Sequence, residues 1–258
     1  MLNYEIFKHS SSSEWVTFIH GAGGSSTIWY KQIRAFSKEY NVLLLDLRGH
    51  GKSKSTEFKQ LKRYSFVVVR EDILKVLNHL KIEKSHFVGI SLGTIVIRDI
   101  AEHHPELVSS MVLGGAVMKI NLRGQVLIRI GNLFKSFLPY ILLYRLFAFI
   151  IMPKKSHRKS RNLFIREAKK LYQKEFIRWF SLVSEVNPLL TFFRIQETNI
   201  PALYIMGEED HMFLPSIRKL TNSHNNTVLE VIPKCGHVVN VDAPRHFNRS
   251  ALLFMSNH

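Results

Sequence analysis

The sequence predicts a mostly parallel, doubly wound α/β sheet with a helical insertion, and three observations carry that prediction. Short apolar runs rich in β-branched residues alternate with segments of helical periodicity, which is typical of a parallel sheet covered on both faces. The run within Asn41–Leu47 is almost continuously apolar, as expected of a strand buried on both faces. The alternation stops between about Met118 and Arg194, where we expect four or five helices and no strand.

The elements of the predicted sheet follow one another at regular spacing. The predicted strands are Trp15–His20, Asn41–Leu47, His86–Ile90, Met111–Ala116, Ala202–Gly207 and Val228–Ile232. The predicted helices are Ser26–Ser37, Ser65–Leu80, Leu92–His103, which ends before Pro105, and a last helix that begins near Pro244. We therefore predict an α/β core of residues 1–117 and 195–258 and a helical subdomain of residues 118–194.

Composition narrows the classes of protein that fit. A chain of 258 residues with 46% hydrophobic residues is long enough for one large packed domain. The one cysteine, Cys235, excludes an internal disulfide, and Met1–Glu5 has neither a positive segment nor an apolar core of a secretory signal. A cytoplasmic location is the resulting default expectation. The formal charge of +16 leaves nucleic acid, an anionic membrane and an anionic substrate as partners to be weighed.

The predicted helical subdomain is both basic and apolar. Residues 118–194 hold 16 Lys and Arg against 3 Asp and Glu, and the difference of +13 is most of the chain's +16. Its most apolar stretch, Phe137–Met152, is short for a bilayer span and contains Arg145, so we expect a buried or interfacial helix. This mixture suits an acyl substrate that is anionic or lipid-like, or peripheral docking on an anionic membrane; the alternative is a solvated basic face. No nucleic-acid-binding module is present, so nucleic acid is not expected.

The segment Gly89–Gly93 (GISLG) is a candidate nucleophile turn. It matches G-x-S-x-G, and a predicted strand enters it while a predicted helix leaves it. Such a turn holds Ser91 in a strained conformation and lifts its hydroxyl above the sheet, where the helix dipole favours negative charge. We expect the two glycines to leave room where any side chain would collide with neighbouring backbone. The alternative interpretation of Ser91 is an ordinary helix N-cap.

A serine nucleophile needs a base, and the base needs a carboxylate to orient it. His237 follows the last predicted strand, and Asp210 follows the strand before it, so both lie at the same sheet edge as Ser91. Asp210 is the preferred acid, with Glu209 second and Glu208 third. The chain order Ser, Asp, His is the one expected when these groups follow successive strands of such a sheet.

The glycine-rich segment His20–Gly24 follows a strand and is a candidate oxyanion site. The backbone N–H groups of Ala22 and Leu92 together could bind the oxyanion of a tetrahedral intermediate. Neither a Walker nor a dinucleotide-binding pattern is present, which argues against nucleotide binding. His20 is expected to anchor this loop, and Cys235, which lacks a strand-to-helix turn, is expected to be a small buried thiol.

With these residues identified, the sequence resembles the α/β-hydrolase superfamily, in its lid-bearing serine esterase, lactonase and C–C hydrolase branch. The matching segments occur in family order: His20-Gly21, Asp46–Ser53, Gly89–Gly93, Gly207–Asp210 with Pro215, and Gly236-His237 with Pro244. The resemblance implies an eight-stranded type of sheet, a helical lid over the site, and no metal or organic cofactor. It also implies that Asp46–Ser53 is a structural turn, so His50 is not assigned a catalytic role.

Two departures from the family pattern concern the start of the sheet and Thr94. Few residues precede Trp15, so the first strand of the family sheet is expected to be absent, and Thr94 stands where a second glycine is common. Serine at position 91 argues against the dehalogenase and epoxide-hydrolase branches, which use aspartate there. The predicted activity is hydrolysis of an ester, thioester or lactone; a C–C hydrolase, a lyase-type synthase and a non-catalytic ligand-binding protein are the alternatives.

Overall fold

A seven-stranded sheet is the centre of the computed structural model, which describes residues 1–54, 64–134 and 137–258. The strand order is β1-β3-β2-β4-β5-β6-β7. Neighbouring strands are parallel except for β1, which pairs antiparallel with β3 at one edge. The strands are β1 Tyr4–Phe7, β2 Trp15–Ile19, β3 Asn41–Leu45, β4 Ser85–Ile90, β5 Val108–Gly114, β6 Ala202–Gly207 and β7 Thr227–Ile232.

The predicted mostly parallel α/β sheet is confirmed, and the differences lie at strand ends and at the sheet edge. The sequence prediction missed β1, because Tyr4–Phe7 is a short, half-buried run with a polar member. It also began β5 three residues late, because Ser109 and Ser110 interrupt the apolar pattern there. Ser110 is fully buried and its hydroxyl contacts the ring of His86 on β4. The described residues form one strand fewer than the eight-stranded sheet that the resemblance implies.

Helices cover both faces of the sheet. Alternate residues of β3 enter two separate cores, with Leu43 and Leu45 on one face and Val42 and Leu44 on the other. This is the burial on both faces that the apolar run predicted. The helices outside the insertion are α1 Tyr30–Phe36, α2 Phe66–His79, α3 Leu92–His103, α9 Leu214–Thr221, α10 Val239–Asp242 and α11 Pro244–Met255. The helices α2, α3 and α9 pack on the first face, and α1 and α11 on the second.

Five helices lie between β5 and β6 in the described part of this segment, within the four or five expected. They are α4 Leu122–Phe134, α5 Tyr140–Ile151, α6 Arg158–Ala168, α7 Gln173–Ser181 and α8 Val183–Ile195. We call residues 118–194 the helical insertion; residues 135 and 136 of it lie outside the described ranges, and its exact boundaries stay a prediction. A small core of its own joins α5, α6 and α7. No helix in the described ranges has the length and apolar character needed to cross a bilayer.

Candidate active site

Ser91 occupies a sharp turn between β4 and α3. Its backbone has φ 53° and ψ −119°, a left-handed conformation that is costly for a residue with a side chain. A Cβ at Gly93 would collide with the carbonyl oxygen of Ile19, and one at Gly89 would lie 2.5 Å from the Cδ1 methyl of Ile97. The expected collision with backbone is therefore confirmed for Gly93, while at Gly89 the nearest backbone atoms, those of Gly93, lie at 3.0 and 3.1 Å. The strain persists because β4 and α3 are both buried and fix the turn from each side.

His237 lies in the loop after β7 and joins Ser91 to Asp210. Its Nε2 is 3.0 Å from the Oγ of Ser91, and its Nδ1 is 2.7 Å from the Oδ2 of Asp210. An ionised carboxylate only accepts hydrogen bonds, so Nδ1 carries the proton and Nε2 accepts from the serine hydroxyl. Asp210 is fully buried and His237 nearly so. The structure thus brings the three predicted side chains into one hydrogen-bonded chain, and this arrangement can transfer the hydroxyl proton.

The other two acids of the β6 loop face elsewhere. Glu209 accepts hydrogen bonds from Lys154, Ser156 and His157 of the helical insertion. Glu208 accepts one from the backbone N–H of Lys234. Asp210 alone among the three contacts His237 in the described structure, which agrees with the order of preference taken from the sequence.

Close backbone contact between the loops after β6 and β7 sets the distance from acid to base. The N–H of Glu209 donates to the carbonyl of Cys235, and a Cβ at Gly207 would collide with the carbonyl oxygens of Cys235 and Gly236. Gly115, after β5, has φ 48°, and a Cβ there would collide with the carbonyl oxygen of His237. Sequence reasoning missed Gly115, whose only signal was a Gly-Gly pair at the end of a strand.

The backbone of the loop after β2 approaches the nucleophile closely. A Cβ at Gly21 would lie 3.1 Å from the Cβ of Ser91. Ala22 and Leu92 both line the cavity above Ser91, and neither N–H donates to another residue in the described ranges. The two N–H groups stay the predicted oxyanion donors.

His20 holds this loop in place through hydrogen bonds on both ring nitrogens. Its Nδ1 is 2.8 Å from the carbonyl oxygen of Gly21, and its Nε2 accepts from the N–H of Leu47 at 3.0 Å. Burial lowers the pKa of the His20 imidazole, so it is neutral. His50 supports the same loop by accepting from the N–H of Gly23, and burial places its pKa well below the ordinary value. Both histidines act as anchors in this structure, as expected for His20.

A cavity of about 290 Å³ lies above Ser91, between the sheet edge and the helical insertion. Its walls are mostly apolar, with Ile90 and Phe213 from the core. The insertion supplies most of the remaining wall, including Ile128, Tyr144, Phe147, Phe164, Trp179 and Phe180. Among the described lining residues there is no Lys or Arg.

Glu167 on α6 is the acidic residue in this lining, and sequence reasoning missed it. Its side chain is 4% exposed, and its carboxylate accepts from the hydroxyl of Ser25 at 2.9 Å and from Lys170 at 2.7 and 2.8 Å. Burial alone would raise the pKa of this carboxyl, but the hydrogen bonds from Lys170 and Ser25 outweigh it and the pKa is lowered. Glu167 is therefore an ionised carboxylate in the cavity wall. No motif surrounds it in the sequence.

Cys235 does not compete for the role of nucleophile. The side chain is 2% exposed, and burial, with smaller contributions from Asp242 and Glu209, raises the pKa of the thiol to about 12. A thiol with that pKa carries almost no thiolate at neutral pH. In the described ranges, no group of three or more His, Cys, Asp or Glu side chains is arranged to hold a metal ion.

Comparisons with known proteins agree with this architecture. A family model described as the alpha/beta hydrolase fold matches residues 14–244. A Bacillus subtilis (strain 168) protein, provisionally named 2-succinyl-6-hydroxy-2,4-cyclohexadiene-1-carboxylate synthase, is 25% identical over 96% of this chain and 92% of its own length. A carboxylesterase of the same organism, named as uncharacterized, is 22% identical over 93% of this chain and 79% of its own. The crystal structure of an enol-lactonase from Burkholderia xenovorans LB400 superposes with a TM-score of 0.81 at 19% identity, covering 99% of this chain and 96% of that one.

Proposed function

Because this chain belongs to the α/β-hydrolase fold family and is a hydrolase enzyme, we propose that it cleaves a carboxylic ester, thioester or lactone through an acyl-enzyme on Ser91. The observation that carries the proposal is the hydrogen-bonded chain from Ser91 through His237 to Asp210, with the serine hydroxyl at the floor of an apolar cavity. This arrangement supplies a nucleophile, a base and an orienting acid without any further group.

The proposed reaction has two halves that use the same residues. The Oγ of Ser91 attacks the carbonyl carbon while Nε2 of His237 takes the hydroxyl proton, and Asp210 stabilises the resulting imidazolium. The N–H groups of Ala22 and Leu92 bind the oxyanion, each contributing about 3–4 kcal/mol to the transition state. Nε2 then protonates the departing alcohol or thiol. Water attacks the acyl-enzyme with His237 again as base, and the carboxylic acid is released.

The sequence allowed both anionic and neutral acyl substrates, and the cavity favours a neutral one. Among the described lining residues, an anionic substituent would meet the Glu167 carboxylate, whose charge Lys170 already pairs with, and no Lys or Arg of its own. Removing a charge from water without a partner is costly, and a like charge nearby adds to that cost. We infer that the substrate is a small or medium neutral ester, thioester or lactone whose apolar part fills the cavity.

The second candidate is cleavage of a C–C bond or a lyase-type synthase reaction with the same three side chains. The synthase name of the Bacillus subtilis relative favours it. That name specifies a carboxylate product, and the described cavity lining lacks a Lys or Arg to pair with one. This candidate therefore ranks below hydrolysis of a neutral substrate.

The decisive experiment is labelling by a fluorophosphonate, followed by a substrate series. We expect the native protein to be labelled and Ser91→Ala to lose the label completely. Ser160→Ala is the matched control, because Ser160 also lines the cavity but its hydroxyl bonds to His157 and Asp242. A p-nitrophenyl ester series of rising chain length, run beside lactones and a C–C substrate, then identifies the reaction. A native protein that resists labelling contradicts the proposal and favours a ligand-binding protein, whereas a label retained in Ser91→Ala contradicts it by showing that another residue is the reactive nucleophile.

A further inference from the structure

Six large apolar side chains are exposed on α4, on α5 and at residue 137 between these helices. We call this set the α4–α5 apolar face; its members are between 39% and 84% exposed, and Phe137 is the most exposed of them. They are Leu133, Phe134, Phe137, Leu142, Leu146 and Phe149. Single exposed apolar residues are ordinary on a protein surface, but six of them within residues 133–149 indicate a binding surface.

The two sides of α5 have different surroundings although both are apolar. Leu142, Leu146 and Phe149 repeat at intervals of four and three residues and so share its outer side. Tyr144 and Phe147, on the inner side, line the catalytic cavity. A single helix, α5, therefore separates the cavity from the exposed outer surface of the insertion.

Basic residues flank the apolar face at both ends of α5 and interrupt it in the middle. At the start of α5, the hydroxyl of Tyr140 donates to the carbonyl of Leu171, and the N–H of Tyr140 donates to Gln173 at 2.8 Å. These bonds place the segment 169–174, with its exposed lysines 169, 170 and 174, beside that end. The exposed Lys154 and Lys155 lie three and four residues beyond the other end, and Arg145 is exposed between Leu142 and Phe149.

The combination of exposed apolar and basic side chains indicates which kind of partner covers the α4–α5 apolar face. Two copies of the chain would bring together two insertions that each carry a formal charge of +13, so self-association there is opposed by repulsion. A bilayer with anionic headgroups matches both features at once, because lysine and arginine contact the headgroups while leucine and phenylalanine enter the acyl boundary. We propose that the α4–α5 apolar face docks on the surface of an anionic lipid bilayer, with α5 lying along it.

Docking in this orientation places the bilayer against the helix that forms one wall of the cavity. The inference does not rest on the proposed function, because binding to lipid is measured without turnover. Fluorophosphonate labelling of Ser91 in the same samples reports on the active site separately, so the two proposals fail independently.

Cosedimentation with vesicles tests the proposal. We expect the native protein to bind vesicles of equal parts phosphatidylglycerol and phosphatidylcholine at least about tenfold more tightly than vesicles of phosphatidylcholine alone, with the difference shrinking in high salt. Phe137→Ser, Leu142→Ser and Arg145→Glu should each weaken binding about tenfold. The matched controls are Leu253→Ser and Arg249→Glu on α11, which alter exposed residues outside the insertion and should bind as the native protein does.

Three results would overturn the proposal. The first is folded native protein that does not bind the anionic vesicles at low salt. The second is an equal loss of binding in Leu253→Ser and Phe137→Ser. The third is a concentration-dependent dimer, seen by sedimentation velocity, that Phe137→Ser abolishes while the native protein ignores vesicles, since a second copy would then be the occupant of the face.

Discussion

Glu167 places a negative charge in the wall of an otherwise apolar cavity, and two donors keep it ionised there. Ser25, which donates to it, belongs to the segment that follows the glycine-rich loop after β2, so the carboxylate also connects α6 of the insertion to the core. A residue in this place can select substrates by charge without taking part in bond cleavage. The distinction is measurable as a ratio between two substrates of similar shape.

We predict that Glu167→Gln relaxes discrimination against anionic esters. Glutamine keeps the shape of the side chain but removes the charge, so the ratio of kcat/KM for an ester with an anionic acyl end to that for its neutral counterpart should rise about tenfold. Glu185→Gln, a carboxylate of the insertion outside the cavity lining, is the matched control and should leave the ratio unchanged. A ratio that is the same in all three proteins would show that Glu167 does not act on substrate charge.

The residues of the candidate site differ in how far the sequence alone could identify them. Ser91, Asp210 and His237 follow three predicted strands, and parallel strands bring their carboxyl ends to one sheet edge, so their proximity could be inferred from position alone. Glu167 could not be inferred in this way. Its place in the cavity depends on how α6 packs over the core, and neither periodicity nor a local motif specifies that packing.

At the scale of elements, the site depends on loops that approach one another more closely than any side chain would permit. Gly207 ends β6 where the backbone touches the loop that carries His237, and that loop also contacts Gly115 at the end of β5. The sequence marks these positions only as glycines after strands. Which loop each glycine meets follows from the order of strands in the sheet, which the alternation of elements does not reveal.

We predict that Gly207→Ala separates the acid from the base. The new methyl group collides with the carbonyl oxygens of Cys235 and Gly236, so the variant should lose about 1–3 kcal/mol of stability, and fluorophosphonate labelling should slow about tenfold or more in the protein that remains folded. Gly124→Ala on α4 is the control: the nearest atom there is a methyl group of Ile120 at 2.7 Å, on a side chain that can turn. Because no backbone atom outside α4 is in the way and alanine favours a helix, its stability should fall less than that of Gly207→Ala. Labelling at the native rate in folded Gly207→Ala would contradict this account.

At the scale of the whole molecule, the periodicity of the sequence predicted a mostly parallel sheet with a helical segment between β5 and β6, and the structure agrees. It did not predict the antiparallel edge strand β1. Tyr4–Phe7 is too short for its residue pattern to indicate a strand, and the strand forms through its pairing with β3. The sequence also did not predict which side of each inserted helix is buried, because that depends on tertiary packing. The cavity wall and the exposed side of α5 are therefore known only from the structure.

Buried neutral histidines give the whole fold a dependence on pH. Burial lowers the pKa of His20 and places that of His50 well below its usual value, and burial, followed by the nearby Lys84 and His258, lowers the pKa of His86 from 6.5 to about 4. Between pH 6.5 and about 4 the unfolded chain therefore binds more protons than the folded one at these sites. Stability should fall as the pH falls through that window, because the slope of the unfolding free energy follows the difference in bound protons.

We predict that His86→Gln reduces this loss. The variant removes one histidine that must stay neutral when folded, so the difference between its unfolding free energies at about pH 7 and about pH 5, from denaturant titration, should be smaller than in the native protein. Its stability at the higher pH should also be lower, because the contact of His86 with Ser110 is altered. His79→Gln, which changes an exposed histidine of α2, should keep the native difference. If His86→Gln and the native protein lose equal stability on acidification, the acid sensitivity must arise elsewhere, from His20 and His50 or from mutual repulsion among the excess positive charges.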